Sequence, residues 1–176
     1  MKIFVASDIH GSSYFMKRFA EIIEAEKPEQ IILLGDLYYH GPRNKFPKKY
    51  SPMKVAEILN FYKDKIKCVK GNCDAEVDQM ISEFKIEESY ETEINGKTFL
   101  FVHGHKLDPK NMPQKDFVFG GHTHVPEVIN YENCKYINPG SLSLPKGEYA
   151  QSYAVISDGK IEIKELKGKI IETVNF

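Results

Sequence analysis

The chain has 176 residues, with 24 Lys plus Arg against 25 Asp plus Glu and a formal charge of -1. That length fits one domain, 1–176, able to bury a core without disulfides, and the balanced charge excludes the basic excess expected of a long nucleic-acid track. Three cysteines in no CxxC pair, Cys68, Cys73 and Cys134, exclude a disulfide framework and a four-thiolate zinc site and fit a reducing cytosol.

Met1 leads into the short apolar run Ile3-Phe4-Val5-Ala6, without the charged region and long apolar core of a signal peptide. No apolar stretch approaches the roughly 20 residues that span a bilayer. A cytoplasmic, soluble protein with no membrane partner is the expectation.

Ile3 to Ser7 reads as a buried strand, and the segment after Ser12-Ser13 places Phe15, Phe19, Ile22 and Ile23 on one face of a helix. Ile31 to Leu34 follows as a second strand. Tyr38 to Tyr50 is a polar loop closed by Ser51-Pro52, which resembles an N-cap with proline at the first helical position. Val55, Ile58, Leu59 and Tyr62 keep helical spacing, Ile66 to Val69 gives a third strand, and Val77, Met80, Ile81 and Phe84 suit a short third helix.

Beyond about residue 88 the pattern becomes strands joined by tight turns, with Asn95-Gly96 and Asp158-Gly159 as hairpin signals. Thr98 to Val102, Phe117 to Phe119, Tyr136-Ile137, Tyr153 to Ser157, Lys160 to Leu166 and Ile170 to Val174 are the expected strands. No linker, internal repeat or low-complexity tract separates the two halves. Alternating strands and helices followed by strands alone predict an α/β chain.

Polar clusters follow the apolar runs: Asp8-Ile9-His10, Gly35-Asp36, Gly71-Asn72-Cys73-Asp74, His103-Gly104-His105 and Gly120-Gly121-His122-Thr123-His124. Residues at the carboxyl ends of parallel strands converge on one crevice even when far apart in sequence. Carboxylates, imidazoles and an amide oxygen suit Mn²⁺, Fe²⁺ or Zn²⁺, whereas an all-oxygen set would favour Mg²⁺ or Ca²⁺. Any one cluster alone reads more readily as a turn or helix cap. Five of the six histidines fall in these clusters, which a chance scatter would rarely produce.

Asp8-x-His10, Gly35-Asp36, Gly71-Asn72-x-Asp74, His103-Gly104 and Gly121-His122-x-His124, in that order, resemble the motif series of the calcineurin-like metallophosphoesterases. His40-Gly41-Pro42-Arg43-Asn44, Asn138-Pro139-Gly140-Ser141 and Pro145-Lys146-Gly147 resemble the YfcE-type bacterial phosphodiesterases within it. The resemblance implies a two-sheet β-sandwich flanked by helices and two divalent metal ions, Mn²⁺ first, with Zn²⁺, Fe²⁺ or Ni²⁺ as alternatives. Asp8, His10, Asp36 and His124 would bind the first metal, and Asp36, Asn72, His103 and His122 the second, with Asp36 bridging. The implied reaction is hydrolysis of a small phosphodiester by in-line attack of a metal-bridging hydroxide. Asp36 and Asn72 would serve catalysis as well as binding, while Asp74 and His105 would orient ligands or contact substrate.

Many members of the family have histidine between the Asn and Asp of the third motif, where it stabilises the transition state or protonates the leaving oxygen. Cys73 stands there in this chain. A positioned general acid is worth on the order of 10²–10⁴ in rate, so its absence penalises poor leaving groups and tilts the expectation from monoesters to diesters. Space-filling beside the site is the expected role of Cys73, ahead of nucleophile or redox switch, and Cys68 and Cys134 read as ordinary strand cysteines. His40 and Arg43 on the loop after Asp36 are placed to reach a phosphate or to make turn contacts. A scaffold on the same fold, like the retromer subunit, is one rival reading, and the filled ligand set stands against it. A phosphomonoesterase, or a nuclease built on this core, is a closer rival, the nuclease weakened by the near-neutral charge. Exposed strands and aromatics are compatible with a homo-oligomer.

Overall fold

A computed structural model describes residues 1–176. The first half builds β1 (Ile3–Ala6), α1 (Ser13–Glu26), β2 (Gln30–Leu33), α2 (Pro52–Phe61), β3 (Ile66–Val69), α3 (Asp78–Ile81) and β4 (Ile86–Glu87). The second half contains β5 (Tyr90–Ile94), β6 (Lys97–Phe101), β7 (Phe117–Phe119), β8 (Pro126–Asn130), β9 (Lys135–Pro139), β10 (Ser152–Ser157), β11 (Lys160–Glu165) and β12 (Ile170–Asn175).

These strands form two sheets, one of seven in the order β12-β11-β10-β1-β2-β3-β4 and one of five in the order β5-β6-β7-β9-β8. β1, β2 and β3 are mutually parallel, as are β6, β7 and β9. Ligand-bearing loops therefore leave each sheet in a common direction.

The apolar runs of β1 and β2 are unbroken because both faces are covered. Phe4, Ala6, Ile31 and Leu33 pack under α1 and α2 with Met16, Phe19, Val55 and Leu59. The alternate residues Ile3, Val5, Ile32 and Leu34 face the second sheet, whose inner face contributes Phe99, Phe101, Phe117, Phe119 and Ile137. The phenylalanines of neighbouring strands stack with centroids 4.8 Å (Phe99–Phe117) and 5.1 Å (Phe101–Phe119) apart. The two-sheet sandwich expected from the family resemblance is the observed architecture.

Local expectations fare unevenly. Both hairpin turns form, with φ of 52° and 75° at Asn95-Gly96 and 51° and 74° at Asp158-Gly159, as a type I′ turn requires. In α1 the buried positions are Ser13, Met16, Phe19 and Ile23, so Met16 takes the place expected of Phe15. Pro52 does open α2, but the Ser51 side chain makes no capping hydrogen bond. α3 is a single turn in which Met80, like the preceding Val77, is exposed, leaving Ile81 and Phe84 to pack inward. Cys134 is buried in the turn before β9 instead of in a strand. β8 was not foreseen, because Pro126 and Glu127 mask a half-buried edge strand.

No helix is long and apolar enough to cross a membrane.

Candidate metal centre

Five strand ends deliver the candidate ligands: β1 leads to Asp8 and His10, β2 to Asp36, β3 to Asn72, β6 to His103, and β7 to His122 and His124. Five of these seven have left-handed backbone: Asp8 (φ 57°), His10 (47°), Asp36 (54°), His122 (67°) and His124 (62°). Non-glycine residues reach this region at a cost, and such strain concentrates where side chains must be aimed at a common point.

Two glycines let the strand ends close in. A Cβ on Gly71 would lie 2.1 Å from Asp36 Oδ1 and 2.4 Å from the Asp36 backbone nitrogen, so the loops after β2 and β3 touch only because no side chain intervenes. A Cβ on Gly121 would lie 1.9 Å from Ser7 Oγ, and there the two sheets meet. These contacts explain why a glycine precedes the candidate ligand in the third and fifth clusters.

At the deeper end of the site Asp8, His10 and His124 are fully buried. Asp8 Oδ2 accepts hydrogen bonds from Ser7 Oγ (2.6 Å) and the His122 backbone N–H (3.0 Å). Asp8 Oδ1, equally buried, has no hydrogen-bond partner and lies 3.2 Å from His124 Nε2 and 3.5 Å from His10 Nε2. His10 Nδ1 donates to the Tyr39 carbonyl (2.8 Å) and His124 Nδ1 to the Leu144 carbonyl (2.7 Å). A carbonyl can only accept, so in the neutral rings both Nε2 atoms carry lone pairs, and these face one another at 3.1 Å. With both rings neutral, three acceptors converge with no donor among them. A cation satisfies that arrangement, and these donor types suit a transition metal.

The second end opens to solvent through exposed Asn72 and half-buried His122. Asn72 Oδ1 lies 2.9 Å from His103 Nε2 and 2.7 Å from His122 Nδ1, and His103 Nδ1 donates to the Leu34 carbonyl at 2.6 Å. Asp36 stands between the two ends: Oδ2 lies 3.6 Å from His10 Nε2 and 3.5 Å from His103 Nε2, while Oδ1 accepts from the Cys73 backbone N–H at 2.8 Å. The triads Asp8–His10–His124 and Asp8–Asp36–His103 each bring their ligand atoms within 4.8 Å of one another.

Electrostatics follow from this crowding. Burial alone would raise the Asp8 pKa, but the His10 and His124 contacts outweigh it and hold the carboxyl well below its usual range. Burial would likewise lower His103, yet Asp36 and Asp8 push it up to about 9. Burial and then the Asp36 charge push the Cys73 thiol up to about 12.

Asp74 does not point at a ligand. Its Oδ2 accepts from the backbone N–H groups of Asp36 and Gly71, both at 2.7 Å, and its Oδ1 from that of Leu37 at 2.8 Å, so it ties the β2 and β3 loops together. His105 is exposed and lies 6.0 Å from His122 and 5.4 Å from His103, centroid to centroid, lining a small side cavity and not the main cleft. That cleft, about 740 Å³, is bordered by Asp36, Asn72, Cys73, His122 and His124, the Tyr39–Asn44 loop and Lys146. Arg43 faces it, whereas His40 stacks on Phe46 with centroids 4.3 Å apart.

The supports were the least visible part of the sequence. Asn138 Nδ2 donates to the Gly121 carbonyl (2.8 Å), Ser141 Oγ to the Asp8 carbonyl (2.7 Å) and Ser143 Oγ to the Ile9 carbonyl (2.7 Å). The end of β9 and the stretch after it thus fix the strained loops that carry Asp8, His10 and His122. Only the family resemblance marks Asn138-Pro139-Gly140-Ser141 in the sequence, because a fully buried Asn and two serines give no periodic signal.

Residues 1–159 match the calcineurin-like phosphoesterase superfamily domain. Phosphodiesterase YfcE of Escherichia coli (strain K12) is 39% identical over 175 residues, spanning 97% of this chain and 95% of that protein. A solved structure of YfcE, described as a phosphoesterase from E. coli, superposes with a TM-score of 0.94 at 37% identity, over 99% of both chains. Vps29 of Chaetomium thermophilum, 17% identical with a TM-score of 0.67 over 99% of this chain and 97% of that one, shares the fold. With the motif series, the two-sheet architecture and a near full-length relative in agreement, the chain belongs to the calcineurin-like phosphoesterase superfamily.

Proposed function

We propose that this chain hydrolyses phosphodiesters with two divalent cations, Mn²⁺ first. Asp8, His10, Asp36 and His124 would hold one cation, and Asp36, Asn72, His103 and His122 the other. When bound, such a pair would supply the positive charge that lowers the pKa of a water towards neutrality and that neutralises the phosphoryl oxygens of the substrate. The observation that carries this reading is the buried group of Asp8 Oδ1, His10 Nε2 and His124 Nε2, three acceptors facing one another without a donor.

The chain's own residues prepare that chemistry. The carbonyls of Tyr39, Leu34 and Leu144 hold His10, His103 and His124 in the tautomer that presents Nε2. Asp36 serves both ends through one oxygen, with the Cys73 N–H steadying the other. Asp74 positions Asp36 through the backbone, and His105 stands beside His122 where it can steady that ring or meet a product leaving by the side cavity. Cys73 borders the cleft as a neutral thiol, a poor acid and no cation, so substrates with good leaving groups and a single phosphoryl charge suit the site best. The near full-length likeness to a protein named phosphodiesterase supports the same preference.

The test is chelation followed by reconstitution. Metal-free protein should show negligible hydrolysis of an aryl phosphodiester and regain it with Mn²⁺, with lower rates on the matched monoester. Full activity in a sample verified as metal-free would sink the mechanism.

A further inference from the structure

Two cations, Arg43 and Lys146, border the cleft. Neither has an ion-pair or hydrogen-bond partner for its side chain, so both charges are free to meet a ligand in the cleft. The carboxylates that share the cleft are engaged: Asp36 with the metal centre and Cys73 N–H, Asp74 with three backbone N–H groups.

Both cations sit on backbone tied to a candidate metal ligand. On one wall, His10 bonds the Tyr39 carbonyl, and Asn44 Nδ2 closes the turn onto the His40 carbonyl at 2.8 Å, with Arg43 inside that turn. Gly41 packs so closely on Cys73 that a Cβ there would stand 3.3 Å from Sγ. On the other wall, His124 bonds the Leu144 carbonyl, and the Lys146 backbone N–H returns to the His124 carbonyl at 3.2 Å. The placement of each cation relative to the centre is therefore built in, although its side chain is exposed.

Charge balance says what they are for. Two divalent cations, the carboxylates of Asp8 and Asp36, one deprotonated water and the single charge of a diester already cancel. Asp74, if ionised, offsets one further cation. At least one positive charge is left for something the scissile phosphate does not supply, and a guanidinium is matched in shape to a phosphate.

We infer that Arg43 and Lys146 form a subsite for a second anionic group, a phosphate above all, carried on one ester arm of the substrate. This rests on the phosphodiesterase reading and narrows it to diesters that bear an additional phosphate.

Calorimetric binding to the Mn²⁺-loaded protein tests it without turnover, comparing α,ω-alkanediol bisphosphates of two to four carbons with the matched alkyl monophosphates. One spacer should bind roughly 10–100-fold tighter than its monophosphate, the range of one charge-assisted hydrogen bond, and added salt should erode that preference. Arg43→Gln and Lys146→Met should each reduce the preference and together abolish it, with monophosphate affinity held. Equal affinity for the two ligands in the unmodified protein, or parallel losses for both ligands in the variants, overturns the subsite. Aryl alkyl phosphodiesters assayed on the same preparation separate the two readings. A bisphosphate preference without hydrolysis keeps the subsite and removes the catalytic reading, and hydrolysis without the preference does the reverse.

Discussion

Each ligand position can be perturbed alone, because its neighbours stay tied to backbone. Asp36→Asn removes the charge from the oxygen that faces both His10 and His103, and His122→Ala removes the ring beside Asn72. Turnover should fall by orders of magnitude in either variant with the melting temperature little changed, checked by rates alongside metal content. Near-normal turnover with one metal fewer would show that the two-cation assignment is wrong. Cys73 offers the opposite experiment. Cys73→His introduces a proton donor and potential cation at the cleft wall, so monoesters with poor leaving groups should gain most, up to the roughly 10²–10⁴ that a positioned acid supplies. Cys73→Ser should do little, since a hydroxyl is no better an acid than a thiol held up at about 12. Monoester-to-diester kcat/KM ratios at matched metal occupancy decide it, and loss of diester hydrolysis in Cys73→Ser with both metals bound would give the thiol a direct chemical role.

Among the elements, the loops after β2 and β3 depend on contact between backbones. Gly71→Ala drives a methyl into the Asp36 carboxylate and backbone nitrogen. Because misplacement by about 1 Å can cost 10²-fold in rate and overpacking costs about 1–3 kcal/mol, that variant should lose activity on that scale and melt at a lower temperature. Metal titration should show the loss of a site. A folded Gly71→Ala protein with normal metal content and rate would mean that the loops have room to separate. α1 illustrates a different limit of local pattern. Phe15 and Met16 are equally apolar, and which of them enters the core depends on the helix phase set by Ser12, whose side chain accepts from the Phe15 N–H at the N-terminus. Phe15 instead packs edge-on against Tyr14 with centroids 5.0 Å apart.

Over the whole molecule, the layer between the sheets joins residues from β1, β2 and β3 to residues from β6, β7 and β9 in one apolar cluster. The candidate metal centre lies at the ends of these strands, so metal binding there would be linked to stability. In the chelated protein His103, ordinarily near 6.5, is raised to about 9. A raised histidine stabilises fully below its unfolded value and loses that contribution as pH rises through its folded one. The melting temperature of chelated protein should therefore decline from pH 6.5 towards and past 9. With Mn²⁺ the cation replaces the proton, and the decline should flatten while the melting temperature rises. Thermal melts across that range, with and without metal, provide the measurement, and the same decline in both states would detach His103 from the centre. A single cooperative transition is expected, because the sheets share their core.

The strand-end placement of the candidate ligands could be read from the chain because each follows a short apolar run, and an apolar run ending in a polar cluster marks a strand end whatever the fold around it. The parallel strands β1, β2 and β3 and both hairpin turns were legible for similarly local reasons: unbroken burial and positive φ leave their mark in adjacent residues. Tertiary structure alone decided the rest. Asp8 is left with one unpartnered oxygen only because Ser7 and the His122 backbone occupy the other, and Asp74 is drawn away from the candidate metal centre by N–H groups of Asp36, Leu37 and Gly71. Arg43 and Lys146, far apart in the chain, face one cleft because separate loops are bonded to His10 and His124. Hydrogen bonds and charges act over a few ångströms in space, and sequence spacing carries no record of which distant backbone groups will occupy that distance.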